Sequence, residues 1–212
     1  YPSCLEPRCP SPDTTLAAVQ SMAGTLPPEF IIWRYDPIVF SQRTDQEWHL
    51  HQFESLCTRW HGLTKRCYFS FVSPYGKTRR HFSELSKKEG LDFFEPSPEE
   101  KRVFAERMAD IAGARGITLH SCCSDALLAA GIEKAHCIDA GLVQALRPEL
   151  RIALKPKPTR PECGCYESTD IGAYDSCGFG CAYCYATANH ETARHRIAAH
   201  DPDSPSMTAG KR

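Results

Sequence analysis

The chain has no uninterrupted apolar run long enough to cross a bilayer, so no membrane is expected as a partner. Nor does charge of either sign dominate: 25 lysines and arginines stand against 26 aspartates and glutamates, a net charge of −1. That balance offers no broad basic surface and argues against nucleic acid as the main partner. No signal-peptide pattern opens the sequence, and it begins at Tyr1 rather than Met; a processed, trimmed or partial chain is the expectation. What remains, 42% hydrophobic and 24% charged over 212 residues, is the composition of a globular protein with one ordinary core.

Cysteine, in contrast, is abundant. There are twelve, and Cys163, Cys165, Cys177, Cys181 and Cys184 crowd into one short stretch. An even count permits a disulfide framework. Tight clusters in a helix-rich chain instead read as metal ligands in a reducing, cytoplasmic setting. Cys57 and Cys67 sit in apolar runs and read as small buried hydrophobes.

The pointed motif is Cys177-Gly-Phe-Gly-Cys181-Ala-Tyr183-Cys184. Three cysteines spaced C-x3-C-x2-C can ligate three irons of a [4Fe–4S] cluster and leave the fourth open. The bacterial ferredoxin run, C-x2-C-x2-C-x3-C, has four thiolates. An open iron is where S-adenosylmethionine chelates in radical-SAM enzymes, whose reduced cluster cleaves the sulfonium to a 5′-deoxyadenosyl radical. Gly178 and Gly180 suit a backbone wrapping closely round an inorganic core. Adding Cys163 and Cys165 makes five thiols, enough for a closed tetrahedral zinc site, so zinc is the alternative metal. Cys163 and Cys165 also stand as candidates for a second metal together with Cys122 and Cys137.

Apolar periodicity alternates between helix and strand. Ser11-Pro12 caps a helix through Met22, and Phe30 to Trp33 reads as a strand. Thr44 and Glu47 form a capping-box pattern before a helix ending at Gly62. Cys67 to Val72 is a strand, Ser97-Pro98-Glu99-Glu100 opens a capped helix, and Ile117 to His120 is a third strand. Short helices are predicted over 125–130 and 139–147. This alternation predicts an α/β fold with a parallel sheet, read as a partial TIM-like (β/α) barrel over 1–160. A cysteine-rich iron–sulfur segment over 161–188 follows, and then a frayed helix and disordered tail over 189–212. His190, His195 and His200, five residues apart, do not share a helix face and read poorly as ligands.

Arg34 and Asp36, two apart near the first strand's C-terminal end, share a face and are the candidate catalytic residues. An arginine there can grip a carboxylate or phosphate of SAM or substrate; a structural Arg34–Asp36 ion pair is the alternative. Ser73, Tyr75, Lys77, Arg79 and Arg80 follow the second strand and read as a loop, with Tyr75 and Lys77 as candidate cofactor contacts. His120 ranks low.

The run Cys163-Gly-Cys165-Tyr-Glu-Ser168-Thr-Asp170-Ile-Gly-Ala-Tyr174-Asp-Ser-Cys177 through Cys184-Tyr-Ala resembles the C-terminal signature of domain of unknown function eighteen-forty-eight. That family's cysteine cluster is described as similar to that of radical-SAM proteins. Trp33 to Pro37, Cys67 to Val72 and His136 to Asp139 resemble the family too, so the likeness covers most of residues 1 to 186. It implies an iron–sulfur enzyme with an unidentified small-molecule substrate and an electron donor such as flavodoxin or ferredoxin, and an N-terminal part absent here. Cys177, Cys181 and Cys184 would ligate the cluster, and Tyr183 would pack against it or the adenine. The Cys-Ala-Tyr-Cys-Tyr-Ala run also resembles the cluster loop of spore photoproduct lyase. With Lys155, Lys157 and Arg160, this keeps a nucleic-acid repair enzyme as an alternative, beside a non-catalytic metal-stapled protein. One departure stands out: 28 residues follow Cys184 (212 − 184), and none forms the glycine-rich SAM-binding segment that ordinary radical-SAM enzymes carry downstream.

Overall fold

The computed structural model describes residues 1–204 and shows a mixed α/β protein. Its strands are β1 (Ile32–Ile38), β2 (Arg66–Phe71), β3 (Thr118–Ser121) and β4 (Ile132–Lys134). They form one all-parallel sheet in the order β1-β2-β3-β4. The helices are α1 (Pro12–Ala23), α2 (Gln46–Trp60), α3 (Gly76–Glu89), α4 (Pro98–Gly113), α5 (Ala140–Leu146) and α6 (His190–Ala198).

Two compact units interleave along the chain. The larger comprises Ser11–Val72 and Phe94–Ser168; the smaller comprises Tyr1–Pro10, Ser73–Phe93 and the residues from Thr169 on. The boundary expected at 160 falls inside the larger unit, and the cysteine-rich stretch 161–188 is divided between the two. Of the expected tail, 190–198 is the helix α6, capped by Asn189, and 205–212 lie outside the described residues.

In the larger unit the sheet's two faces differ because side chains alternate along each strand. Trp33, Cys67, Leu119 and Ile132 stand in one row across the four strands, and Arg34, Tyr68, His120 and Glu133 in the next. The first row is covered by Phe53, Cys57 and Trp60 of α2 and by Phe104, Ala105, Met108 and Ala112 of α4. Trp33 lies between Phe53 and Trp60, with ring centroids 5.2 and 5.3 Å away and near-parallel planes. Cys57 and Cys67 are fully buried here, and burial raises both thiols, Cys57 up to about 12. They are packing residues, as the sequence implied.

Capping places the helix starts. Ser97 and Glu100 exchange the two hydrogen bonds of a capping box at α4, with Pro98 in the first turn. The box expected from Thr44 and Glu47 does not form. Asp45 caps α2 by accepting from the Trp48 amide at 2.8 Å, while Thr44 is buried and donates to the Val39 carbonyl. A threonine drawn into the preceding turn cannot also cap the helix.

Three other expectations need correction. The first strand starts later: Pro28–Phe30 is a 3₁₀ turn and β1 runs to Ile38, so Arg34 and Asp36 lie within the strand. The helix expected over 125–130 shrinks to a 3₁₀ turn, Asp125–Leu127, after which Gly131, at φ +80°, leads into the short strand β4. Three residues are too few to show a strand periodicity. The segment read as a basic loop is the helix α3, with Tyr75 at its N-cap and Lys77, Arg79 and Arg80 in its first turns. Its apolar residues are sparse, so no helical stripe is visible in sequence.

Two predictions follow from this packing. Trp33→Ala removes the ring that α2 closes upon and should cost about 3–5 kcal/mol in urea unfolding. A loss under 1 kcal/mol would mean the stack does not hold α2 to the sheet. Second, His49 is buried on α2, where its Nδ1 meets the Tyr35 hydroxyl at 2.8 Å and its Nε2 the Val39 carbonyl at 3.0 Å. Burial lowers its pKa from 6.5 to about 4. Between those values the unfolded chain binds the extra proton. Stability should therefore fall, by on the order of 3 kcal/mol, as pH drops from 6.5 to 4. His49→Gln should flatten that slope; an unchanged slope would assign it to other groups.

Candidate metal centres

The three-cysteine motif lies in the smaller unit, on a segment without regular secondary structure that is tied down through its backbone. From α3, Lys77, Thr78 and His81 reach the carbonyls of Tyr185, Tyr183 and Ala182 at 3.4, 3.5 and 3.2 Å. From the N-terminal segment, the Leu5 carbonyl accepts the Ala182 amide at 2.9 Å, and Arg8 Nε donates to the Gly178 carbonyl at 2.5 Å. Tyr183 donates its hydroxyl to Glu6 and sets its ring 5.8 Å from Tyr1. Burial, then the Glu6 carboxylate, raises the Tyr183 phenol above its ordinary range. Tyr183 is thus held by protein groups.

With the backbone so occupied, Cys177 stays exposed and Cys181 and Cys184 half-buried. Gly180 has φ +73°, and a Cβ there would run into the Arg8 guanidinium; at Gly178 it would lie 2.8 Å from Ile197. These are glycines that close approach demands. One thiol that sequence reasoning missed belongs here. Cys9 lies with its sulfur 3.4 Å from that of Cys181, and burial raises Cys181 to about 12. No spacing rule links residues 9 and 181, so no local signal pointed to it.

Tyr75 and Lys77 are in this same unit. The Tyr75 ring is 6.1 Å from Tyr185, and the Lys77 ammonium is 5.4 Å over Tyr174. Arg34, Asp36, Cys163 and Cys165 are in the larger unit.

There, the sheet's second face carries a polar layer. Arg34 pairs with Asp36 at 2.6 Å, and the Ser70 hydroxyl donates to the other Asp36 oxygen. Arg34 also donates to the Cys137 sulfur at 3.2 Å. Arg66 pairs with Asp139 at 3.0 Å, and the Tyr68 hydroxyl donates to the His136 carbonyl at 3.1 Å. An open cleft of about 380 Å³ is lined by Arg66, His120, Glu133, Lys134, His136 and Asp139 among others. His120 Nε2 is buried without a hydrogen-bond partner, and burial lowers the ring's pKa.

Five thiols form a row beside this layer. Cys122 has its sulfur 3.8 Å from Cys123 and 3.9 Å from Cys137. The Tyr166 amide donates to the Ile138 carbonyl at 3.1 Å, which brings Cys165 alongside the Cys137 segment, with Cys163 two residues before it. Arg160, read in sequence as part of a basic stretch, donates to Cys123 at 2.9 Å and to Cys122 at 3.6 Å. All twelve cysteines are free. Among the described residues no group of three or more His, Cys, Asp or Glu side chains is arranged to hold a metal ion, and no helix is long and apolar enough to cross a membrane.

A family model described as "Domain of unknown function (DUF1848)" matches residues 1–186. The chain belongs to this family. The match ends just past Cys184, so all twelve cysteines of this DUF1848 chain, Cys9 and Cys137 included, lie within it. No curated protein and no solved structure matches the chain.

The glycine geometry gives a direct test on this DUF1848 protein. Gly180→Ala forces a side chain onto a left-handed residue and against Arg8, and should cost about 1–3 kcal/mol of stability. A Tm equal to that of the unchanged chain would show that the loop tolerates a wider path.

Proposed function

We propose that this DUF1848 chain is an iron–sulfur enzyme of radical-SAM type, with Cys177, Cys181 and Cys184 as the ligands of one [4Fe–4S] cluster. The observation that carries the reading is the loop itself. Its carbonyls are taken up by α3 while Cys177 stays exposed and Cys181 and Cys184 half-buried, and glycine stands where a Cβ would crowd the wrap. The thiol donor set fits a cluster by its chemistry. Such a group, when bound, would supply single electrons for cleaving the sulfonium of S-adenosylmethionine. In this reading Tyr75 and Lys77 contact the cofactor, Lys77 offering a charge to a carboxylate, and Tyr183 fixes the loop's path through Glu6. Arg34 and Asp36 are the candidate substrate-binding pair, although their mutual ion pair occupies part of their hydrogen-bonding capacity. The substrate is a small molecule of unspecified class, the donor a flavodoxin or ferredoxin, and the setting cytoplasmic, where thiols stay reduced.

Sequential order in an all-parallel sheet, with α2 and α4 on one face, is the arrangement of consecutive strands in a (β/α) barrel. We read the larger unit as part of one, with the Arg34–Tyr68–His120–Glu133 row turned inward.

Cys9 supports a second reading. A fourth thiol beside Cys181 would complete a four-thiolate set, with zinc or a closed cluster acting as a structural staple. Cys163 and Cys165, the fourth-ligand candidates in sequence, belong to the larger unit.

One series separates these readings. In protein purified without oxygen, alanine at Cys177, Cys181 or Cys184 should abolish cluster absorbance and the formation of 5′-deoxyadenosine from S-adenosylmethionine. Cys9→Ala should leave both intact if the fourth iron is open. Full iron content in the Cys181→Ala protein would reject the ligand assignment. Loss of metal in Cys9→Ala, with no S-adenosylmethionine cleavage by the unchanged chain, would establish the staple.

A further inference from the structure

We infer that the larger unit carries its own thiophilic metal centre, ligated by Cys122, Cys123, Cys137 and Cys165, with Arg34 and Arg160 as hydrogen-bond donors to its sulfurs. All four ligands and both donors belong to the larger unit. Its chemical class is a tetrathiolate site for zinc or for an iron–sulfur cluster.

Backbone placement comes first. Cys122 immediately follows β3 on the face that carries His120, and Cys137 lies three positions past the end of the neighbouring parallel strand β4. Parallel strands bring such C-terminal extensions to the same edge of a sheet. Cys123 adopts φ +56°, a conformation uncommon outside glycine, and this lets two successive cysteines present their sulfurs 3.8 Å apart. In an extended chain they would point to opposite sides. The fourth member arrives from far along the sequence: the Tyr166 amide bonds to the Ile138 carbonyl at 3.1 Å and lays buried Cys165 beside Cys137.

The distances suit a metal better than a disulfide. A tetrahedral ion with metal–sulfur bonds of about 2.3 Å sets its sulfurs about 3.8 Å apart. Cys122 lies 3.8 Å from Cys123 and 3.9 Å from Cys137, sulfur to sulfur, against about 2.05 Å for a disulfide bond. The row is open in the described geometry, and metal binding would close it.

Two guanidiniums turned onto sulfur complete the argument. Arg34 donates to Cys137 at 3.2 Å and Arg160 to Cys123 at 2.9 Å. A neutral thiol is a poor acceptor for so strong a donor, whereas a thiolate is a good one. Four thiolates around a divalent ion leave a net negative site, and the arginines offset that charge. Among the described residues no arginine donates to Cys57 or Cys67, the packing cysteines.

Differential alkylation of the unchanged chain tests this without asking any variant to fold. Anaerobically purified protein is treated with iodoacetamide before and after a strong chelator, and each cysteine is read by mass spectrometry. Cys137 is exposed by position, so its protection requires a ligand. We expect Cys122, Cys123, Cys137 and Cys165 to gain reactivity together on chelation, at least tenfold at Cys137, while Cys57 and Cys67 stay unreactive throughout. The change at Cys177, Cys181 and Cys184 is scored separately, so failure of the loop reading and failure of this one are distinguishable. Equal Cys137 labelling with and without chelator overturns the second centre. As a complement, Cys177→Ala/Cys181→Ala should retain about one zinc, or about four irons with sulfide, per chain. A folded double variant without metal would equally overturn it.

Discussion

The alternation of side chains across four parallel strands is the constraint on which the larger unit depends. In register, Trp33, Cys67, Leu119 and Ile132 make one apolar row that must be buried, and α2 and α4 bury it. The adjacent row, one residue along, then faces the other way and is free to carry Arg34, Tyr68, His120 and Glu133. A slip of one residue would put arginine and histidine into the aromatic stack, which is why the pairing is strongly specified. The chemistry of this unit follows from that register. Cys122 continues the His120 face, and Arg34 meets Cys137 because both stand on the same side of the sheet.

The smaller unit solves a different problem. Its cysteine segment belongs to no sheet, so its backbone groups need other partners. Side chains of α3 and the main chain of the N-terminal segment provide them. Such a loop is held through its backbone, with Cys177 exposed and Cys181 and Cys184 half-buried. Arg8 adds a long side chain whose fit depends on Gly180 lacking a Cβ, and Glu6 one that accepts the Tyr183 hydroxyl.

Local chemistry made much of this legible. The Ser97–Glu100 box, the Ser11-Pro12 cap, the apolar strand β2 and the packing roles of Cys57 and Cys67 all follow from neighbouring residues in the chain. Where the reading erred, a local rule met a competing partner or too little signal. Thr44 was taken by Val39 and Ser41, α3 is too polar to show a stripe, and β4 is three residues long. The site was readable in the same uneven way. The C-x3-C-x2-C loop is a short-range pattern and stands out, whereas Cys9 beside Cys181 is a long-range coincidence that no spacing encodes.

By itself, the sequence determined the α/β class, the parallel sheet, the family membership and the cysteine loop, because each rests on residues within a few positions of one another or on a linear pattern. Only the tertiary structure decided which thiols are neighbours. It assigned Cys163 and Cys165 to the larger unit with Cys122, Cys123 and Cys137, brought the Cys122 sulfur within 4 Å of those of the last two, and turned Arg34 and Arg160 onto sulfur. Sequence distance limits how far apart two residues can be, but it does not say which distant ones the sheet register and chain crossings will bring within 4 Å.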